Sequence, residues 1–287
     1  MKPRTYRELL KYCLKRLEPI YGSGESRALS VILLEEYTGI SGPDRIMSGE
    51  FSAPDEAVHN IEIALSELEL HKPVQYITGK TEFMGIDLTV DEHVLIPRPE
   101  TEGLVDWVLR ENTPDSRLKL LDVGTGSGNI AIAIKKSRPS WEVHACDISK
   151  KALQVAEKNA GLYEAQIEFF EWDIRSEPLS FKKPPYNIIV SNPPYVRTCE
   201  KDAMCRNVKD YEPGIALFTD DRDPFVCYRQ ILDFGKHHLT AGGSFYFEIN
   251  QYLYGELGRA LRSCGLRKIT FRKDFRDHCR YVKCVKP

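Results

Sequence analysis

The 287-residue sequence predicts an α/β fold, in which a mostly parallel sheet is covered by helices on both faces and preceded by a small helical region. Two observations lead to this prediction. Apolar side chains recur at helical spacing within residues 1–75, and after residue 117 apolar strands alternate with amphipathic helices. Such alternation specifies a parallel sheet, in which ligands bind beyond the carboxyl ends of the strands.

Residues 1–75 are predicted to be helical. Val58, Ile61, Leu65 and Leu68 share one face of a helix, and the stretch YGSGES, residues 21–26, predicts a break between helices. Residues 76–97 are β-prone and interrupted by glycine, which predicts a short hairpin. The predicted domains are therefore a helical domain (1–75), a β-hairpin linker (76–99) and an α/β domain (100–287).

Seven strands are predicted in the α/β domain, and five helices lie around them. The strands are predicted at residues 118–124, 142–148, 166–174, 186–192, 242–250, 268–274 and 280–286. The helices are predicted at residues 100–112, 128–137, 150–161, 225–239 and 254–265.

Composition excludes several classes of protein. A hydrophobic content of 42% and a charged content of 29% are ordinary for a soluble globular protein. The sequence contains no run of eighteen apolar residues, so it predicts no membrane span. Eight scattered cysteines without a Cys-x-x-Cys pair indicate a reducing, cytoplasmic location and no metal site. A net charge of −2 counts against stable binding of nucleic acid over a long footprint.

A glycine-rich turn follows the first strand of the α/β domain. Gly124, Gly126 and Gly128 allow the backbone to approach a ligand closely, and Asp147, 19 residues after Gly128, ends the next strand. This arrangement is typical of a nucleoside site, with the Asp147 carboxylate on the ribose hydroxyls. The dinucleotide pattern Gly-x-Gly-x-x-Gly would need glycine where the chain has Asn129, which disfavours NAD and a dehydrogenase.

The pattern Asp-x-Gly-x-Gly-x-Gly is similar to the first motif of methyltransferases that use S-adenosyl-L-methionine (AdoMet) and release S-adenosyl-L-homocysteine. An acidic Asp122 beside the turn suits a cationic ligand better than a pyrophosphate, which prefers the positive end of a helix dipole. Asp173 and Ile174 end the third strand, where we expect them to contact the adenine ring. The predicted cofactor is AdoMet.

The stretch SNPPYV, Ser191–Val196, follows the fourth strand and is expected to open onto the same cleft. The side-chain oxygen of Asn192 and the carbonyl oxygen of Pro193 are two acceptors on a turn stiffened by Pro194. Together they are suited to hold a planar NH₂ group against an electrophilic methyl, with the ring of Tyr195 stacked on it. The local chemistry does not separate an adenine amine from a glutamine amide.

The wider chain resembles one family. The segments PVQYITG (73–79), LIPRPETE (95–102), SNPPYV (191–196) and VKDYEPGIALF (208–218), with the glycine turn between them, resemble the HemK/PrmC family. Members of that family methylate the glutamine of the Gly-Gly-Gln motif in bacterial class-1 peptide chain release factors. The resemblance implies a Rossmann-like, seven-stranded class I AdoMet-dependent methyltransferase domain behind an N-terminal helical domain that docks the release factor.

The resemblance also assigns roles to residues by position. It implies that AdoMet contacts Gly124, Thr125, Gly126, Ser127, Gly128, Asp147, Asp173, Ile174 and Asn192. It implies that the substrate glutamine contacts Asn192, Pro193, Pro194 and Tyr195, among which Asn192, Pro193 and Tyr195 are expected to be catalytic. The chain departs from the family at Asn250, where a glycine is common.

Alternatives remain open at this point. A glutamine methyltransferase of a ribosomal protein would share NPPY but lack the acidic run within residues 97–102. A nucleic-acid N6-adenine methyltransferase would need a domain that reads or holds a base, and none is evident. A non-catalytic AdoMet-binding module would not need an intact Asn192. For Arg98 and Glu102, a structural ion pair and a substrate contact are equally compatible with the sequence.

Overall fold

The computed structural model describes residues 5–40, 52–114, 116–174 and 185–287. They form two compact units, one of residues up to Gly79 with Cys205–Tyr211, the other of Lys80–Met204 with Glu212–Pro287. Part of the predicted helical domain, residues 41–51, lies outside the described residues. The division into three domains at residues 75 and 99 stays a prediction.

Helices and strands follow one another along both units. The α-helices are α1 (Tyr6–Thr38), α2 (Asp55–Glu69), α3 (Val74–Thr78), α4 (Pro99–Glu111), α5 (Asn129–Ser137), α6 (Lys150–Leu162), α7 (Arg206–Lys209), α8 (Gly214–Leu217), α9 (Val226–His238) and α10 (Tyr254–Ser263). The strands are β1 (Lys80–Phe83), β2 (Ile86–Thr89), β3 (Lys119–Val123), β4 (Glu142–Asp147), β5 (Ile167–Glu171), β6 (Tyr186–Ser191), β7 (Val196–Arg197), β8 (Phe218–Thr219), β9 (Leu239–Glu248), β10 (Arg267–Lys273) and β11 (Cys279–Val285).

The first unit is built on α1 and α2. Thr5 caps α1 in a capping box with Glu8, which satisfies two backbone N–H groups at the helix start. The predicted apolar face of α2 is buried, as expected: Val58, Ile61, Leu65 and Leu68 are at most 4% exposed. The predicted break between helices within residues 21–26 is confirmed: Gly22, with a φ of 72° and a ψ of 172°, is not helical and divides α1 into two helical segments.

The predicted hairpin is confirmed. Strands β1 and β2 pair antiparallel, from Lys80 opposite Thr89 to Phe83 opposite Ile86. Their turn passes through Met84, whose φ is +51° and whose N–H donates to Glu102 Oε1 at 2.8 Å. Glu102 therefore supports the hairpin turn.

A mixed seven-stranded sheet forms the centre of the second unit, in the order β10-β11-β9-β6-β3-β4-β5. The five strands from β9 to β5 are parallel, and β11 runs antiparallel between β9 and β10. The chain winds outward in both directions from β3, so the topological switch point lies between β3 and β6. Sheets of this kind bind ligands at the carboxyl ends of the strands beside that point.

Strand β5 ends three residues earlier than predicted. It lies at the edge of the sheet beside β4, and the ladder closes with Asp147 opposite Glu171. The N–H of Trp172 still donates to the carbonyl oxygen of Asp147 at 2.9 Å, and because β4 ends at Asp147 the ladder goes no further. Asp173 and Ile174 consequently lie in the loop beyond the strand rather than at its end.

Both faces of the sheet carry an apolar core. One core includes Trp107 and Trp141 with the helices α4 and α5, and the other includes Phe234 and Leu257 from α9 and α10. The sheet is thus the middle layer of three, as the alternating pattern predicts. Across the described ranges, no helix is long and apolar enough to span a membrane.

Candidate active site

A cavity of about 460 Å³ opens in the second unit at the carboxyl ends of β3, β4 and β6. Its volume lies in the range of small-molecule and cofactor sites. The walls combine the glycine turn after β3, the end of β4, the loop after β5 and the turn after β6. Four consecutive parallel strands therefore deliver their following loops to one place.

The glycine turn is fixed by the neighbouring strand. The N–H groups of Gly124 and Thr125 both donate to the carbonyl oxygen of Cys146, at 2.9 and 3.0 Å. Gly124 and Gly126 have φ values of +73° and +54°, and the space where a Cβ would stand is open at both. The positive φ favours glycine, and the open space leaves the backbone accessible to a ligand.

Asp147 holds this turn from the end of β4. Its Oδ2 accepts the N–H of Gly126 and its Oδ1 accepts the N–H of Ser149, each at 2.9 Å. Burial raises the pKa of the carboxyl, and the backbone donors act in the opposite direction. Each oxygen keeps a lone pair, so the carboxylate is able to accept the two vicinal hydroxyls of a ribose.

Asp122 is the second carboxyl group near the turn. It is fully buried, and the hydroxyl of Thr125 donates to its Oδ2 at 2.7 Å. Burial raises its pKa to about 7, with a further upward contribution from the charge of Asp147. A positively charged ligand nearby would favour the ionised form of both carboxyl groups.

The Asn-Pro-Pro turn is anchored to the first strand. The hydroxyl of Ser191 donates to the carbonyl oxygen of Val123 at 2.6 Å, which joins the end of β6 to the start of the glycine turn. Asn192, Pro193 and Pro194 all line the cavity. The amide Nδ2 of Asn192 donates to Thr101 Oγ1 at 3.3 Å.

Tyr195 is not among the residues that line this cavity. It packs against the core, its hydroxyl donates to Glu248 Oε1 at 2.9 Å, and burial raises its pKa well above the ordinary value. The predicted stacking of its ring on the substrate stays a prediction.

Asn250, the departure from the family pattern, braces the same turn. Its Nδ2 donates to the carbonyl oxygen of Tyr195 at 3.1 Å and to Glu200 Oε2 at 3.3 Å. Its Oδ1 accepts the N–H of Tyr252 at 3.0 Å. The amide therefore joins the loop after β9 to the turn, which a glycine has no side chain to do.

The structure brings most of the predicted cofactor residues together. The cavity is lined by Gly124, Thr125, Gly126, Ser127, Asp147, Asp173, Ile174 and Asn192. Gly128 is not a lining residue: it is the N-cap residue that precedes α5, its φ is +82°, and a Cβ there would lie 3.0 Å from Ile132. Its contact with AdoMet stays a prediction.

Several residues that line the cavity are not predicted from the sequence. Val94, Leu95, Pro97 and Phe218 add apolar surface, and Thr101 adds a hydroxyl. The segments LIPRPETE and VKDYEPGIALF, which carry the family resemblance, contain most of them, but nothing local in those segments indicates a cavity wall.

Arg98 forms an ion pair, one of the two roles that the sequence left open, and its contact with substrate stays a prediction. Its guanidinium pairs with the buried carboxylate of Glu212, and it also lines the cavity. The second oxygen of Glu212 accepts the N–H of Ile96 at 3.2 Å. The ion pair thus fixes the cavity wall around Pro97.

The site fits AdoMet. A glycine-rich backbone with positive φ faces open space, a carboxylate with free lone pairs ends β4, and two acidic groups suit a cationic sulfur. Among the described residues no cluster of three metal-ligating side chains occurs. Fold and site together define a class I AdoMet-dependent methyltransferase.

Comparisons with known proteins refine that class. A family model for the PrmC N-terminal domain matches residues 8–79, and one for the methyltransferase small domain matches residues 105–208. The release factor glutamine methyltransferase of Flavobacterium psychrophilum is 40% identical over 274 residues, covering 94% of this chain and 95% of that protein. That of Bacteroides thetaiotaomicron is 41% identical over 263 residues, covering 92% and 94%. The chain belongs to the release factor glutamine methyltransferase family.

A solved methyltransferase from Pyrococcus furiosus shares the fold. It is 15% identical, covers 77% of this chain and 97% of its own, and superposes with a TM-score of 0.53. The predictions of a class I methyltransferase fold, of enzymatic methyl transfer and of AdoMet as cofactor are confirmed, and the dehydrogenase alternative is excluded.

Proposed function

We propose that the protein transfers a methyl group from AdoMet to the side-chain amide nitrogen, N5, of the glutamine in the Gly-Gly-Gln motif of class-1 peptide chain release factors. The observation that carries this proposal is the Asn-Pro-Pro turn on the wall of the cavity that also contains the glycine turn. Relatives about 40% identical along almost the whole chain are named release factor glutamine methyltransferases, which favours glutamine over adenine as the acceptor.

The residues of the chain position the acceptor. Asn192 Oδ1 and the carbonyl oxygen of Pro193 accept the two hydrogens of the glutamine NH₂ group, and the buried ring of Pro193 keeps the turn rigid. Holding both hydrogens out of the amide plane directs the nitrogen lone pair at the methyl group. AdoMet, when bound, supplies that methyl on a positively charged sulfur, so no strong base is needed before attack.

The glycine turn and its two carboxyl groups hold the cofactor. Asp147 accepts the ribose hydroxyls, and Asp173 with Ile174 contacts the adenine. The apolar wall excludes water from the nitrogen and the methyl, which strengthens each polar contact inside. One N–H of the glutamine is replaced by N–CH₃, S-adenosyl-L-homocysteine remains, and one proton leaves to solvent.

The N-terminal unit is proposed to dock the release factor. It has an apolar core of its own, drawn from residues 6–74, and it coincides with the match to the PrmC N-terminal domain. We also propose the division into a docking domain (1–75), a hairpin linker (76–99) and a methyltransferase domain (100–287).

A cytoplasmic location without stable binding of nucleic acid, membrane or metal completes the proposal. All eight cysteines lie in the described ranges and are free thiols, which agrees with a reducing compartment. The net charge of −2 supports the absence of a stable nucleic-acid partner.

The test compares acceptors with radiolabelled AdoMet. A recombinant class-1 release factor, the same factor with alanine for the Gly-Gly-Gln glutamine, ribosomal proteins and nucleic acid are incubated in parallel. Label is expected only in the intact release factor. Equal labelling of the alanine variant, or labelling of ribosomal protein or nucleic acid instead, would overturn the proposed substrate.

A further inference from the structure

A fully buried carboxylate stands behind the Asn-Pro-Pro turn. Glu248 ends β9 and is 1% exposed. Its two oxygens accept two hydroxyl groups, Thr101 Oγ1–H at 2.7 Å and Tyr195 O–H at 2.9 Å. Isolating a carboxylate from water is unfavourable unless its oxygens are hydrogen-bonded, so both hydroxyl hydrogens are directed at Glu248.

The direction of these hydrogen bonds constrains Thr101. A threonine hydroxyl has one hydrogen, and Thr101 gives it to Glu248 Oε2. Toward Asn192 the hydroxyl can then offer only a lone pair. The group that faces it from Asn192 must be a donor, and the structure places Nδ2 there at 3.3 Å.

The constraint on Thr101 decides which end of the Asn192 amide faces the cavity. Because Nδ2 of Asn192 donates to Thr101, the carbonyl oxygen Oδ1 of Asn192 is the end of the amide that is available to a substrate. A 180° flip of the amide would place two N–H donors against the donor NH₂ group of the acceptor glutamine. It would also place Oδ1 against a lone pair of Thr101.

We propose that Glu248 and Thr101 are positioning residues that hold the Asn192 amide with its oxygen toward the acceptor. The proposal rests on the proposed function, because it specifies how the acceptor site of that reaction is orientated. Neither residue needs to touch the substrate or AdoMet in this role. Thr101 acts through its acceptor lone pair, and Glu248 acts by taking the hydrogen of Thr101.

The location of the two residues suits this role. Thr101 lies in the first turn of α4 and Glu248 at the end of a central strand, both rigid elements. The hydroxyl of Tyr228 donates to the backbone carbonyl oxygen of Glu248 at 2.9 Å, which holds the strand end in place. The third partner, Tyr195, attaches the turn itself to the same carboxylate.

The test uses Thr101→Val, which keeps the shape of the side chain and removes the hydroxyl, and Thr101→Ser, which keeps the hydroxyl. With the release factor as substrate, kcat of Thr101→Val is expected to fall roughly ten- to hundred-fold, the scale of a misplaced catalytic group. KM for the release factor and the Kd for AdoMet should stay near the wild-type values. Thr101→Ser should restore most of kcat.

Two further variants sharpen the test. Glu248→Gln is expected to lower kcat as well, because an amide is able to donate to Thr101 and so permits the flipped Asn192. Thr270→Val, on the exposed face of β10, makes the same chemical change outside the site and should be neutral. Unchanged kcat in Thr101→Val would overturn the proposal. So would a loss of AdoMet binding in parallel with kcat, or a Thr101→Ser variant as slow as Thr101→Val.

A second readout does not need the release factor. In protein labelled with ¹⁵N-asparagine, the Asn192 side-chain amide protons are expected to exchange with water faster in Thr101→Val than in the wild type, and in Thr101→Ser at the wild-type rate. If the wild type methylates no release factor while this exchange pattern holds, the proposed function fails and the positioning role stands. If methylation occurs and the exchange is identical in all three proteins, the positioning role is wrong.

Discussion

Asp122 gives a stability prediction whose sign and size follow from its burial. Its pKa of about 7, against an ordinary value of 3.8, means that the folded protein holds this proton more tightly than the unfolded chain. The free energy of unfolding therefore decreases as pH rises from about 4 to about 7 and is constant above that. Between pH 5 and pH 8 the ionisation of this group alone lowers the free energy of unfolding by about 2 to 3 kcal/mol.

Replacing Asp122 by Asn removes this pH-dependent contribution. The new amide has an offsetting cost that does not vary with pH: Oδ1 of Asp122 has no hydrogen-bond partner within the described residues, so an NH₂ group placed there is buried without an acceptor. That cost is about 1–3 kcal/mol. We therefore expect Asp122→Asn to be close to the wild type in stability at pH 5 and more stable by about 1–3 kcal/mol at pH 8.

The assay is urea unfolding followed by tryptophan fluorescence at pH 5 and pH 8 without AdoMet. The three tryptophans, Trp107, Trp141 and Trp172, are buried in the second unit, so their emission reports on that unit. Asp233→Asn is the matched control, because it makes the same charge change at an exposed carboxyl group. A stability difference between Asp122→Asn and the wild type that is the same at both pH values would show that the pKa of Asp122 is not raised in the folded protein.

The same carboxyl group links pH to cofactor binding. A cationic ligand favours the ionised form of Asp122, so the affinity of the wild type for AdoMet should rise between pH 6 and pH 8. In Asp122→Asn the affinity should be weaker and its rise with pH reduced. Isothermal titration at three pH values measures both.

Further substitutions separate the roles of other residues. Asn192→Ala is expected to lower kcat by roughly 10²–10³-fold while AdoMet still binds, measured by steady-state kinetics and titration. Asp147→Ala should weaken AdoMet binding by roughly ten- to hundred-fold, the value of lost hydrogen bonds to a charged group; equal effects of both variants on binding would contradict this division. In Gly235→Ala the new Cβ would lie 2.2 Å from the Phe245 ring, which should destabilise the fold by about 1–3 kcal/mol. Gly161→Ala, in a helix where the new Cβ meets open space, should stabilise the fold by about 0.5–1 kcal/mol; urea unfolding measures both variants.

Local patterns were sufficient to predict the layers of the α/β domain. The alternation of apolar strands with amphipathic helices predicted all seven sheet strands to within about three residues, because each strand has its own apolar run. The glycine turn and the Asn-Pro-Pro turn were also visible, since their unusual residue types follow directly on strands. Parallel topology then brings both turns to one edge of the sheet.

Contacts between distant segments were not visible in the sequence. Thr101 and Glu248 are separated by 147 positions. In the sequence Thr101 resembles any residue at a helix start, and Glu248 resembles any residue at a strand end. The sequence predicts that the ring of Tyr195 stacks on the substrate, and it does not indicate that the Tyr195 hydroxyl donates to the same carboxylate. The strand order and the antiparallel placement of β11 likewise depend on pairing across the sheet, which no local pattern encodes.

Gly22 and Asn250 show a different limit. The glycine and serine residues around position 22 predict a break between helices, and the structure concentrates that break in one residue, Gly22, from which helical segments extend on either side. Asn250 looked like a departure from the family, and its three hydrogen bonds are evident only once the turn at Tyr195 is placed beside it.

Peptide mass spectrometry of the release factor after incubation with the protein and AdoMet tests whether the glutamine is the acceptor. We expect one added methyl group, located on the side-chain amide of the Gly-Gly-Gln glutamine, and none when Asn192→Ala replaces the wild-type enzyme. An unmodified glutamine despite bound AdoMet, or a methyl group on another residue, would contradict it.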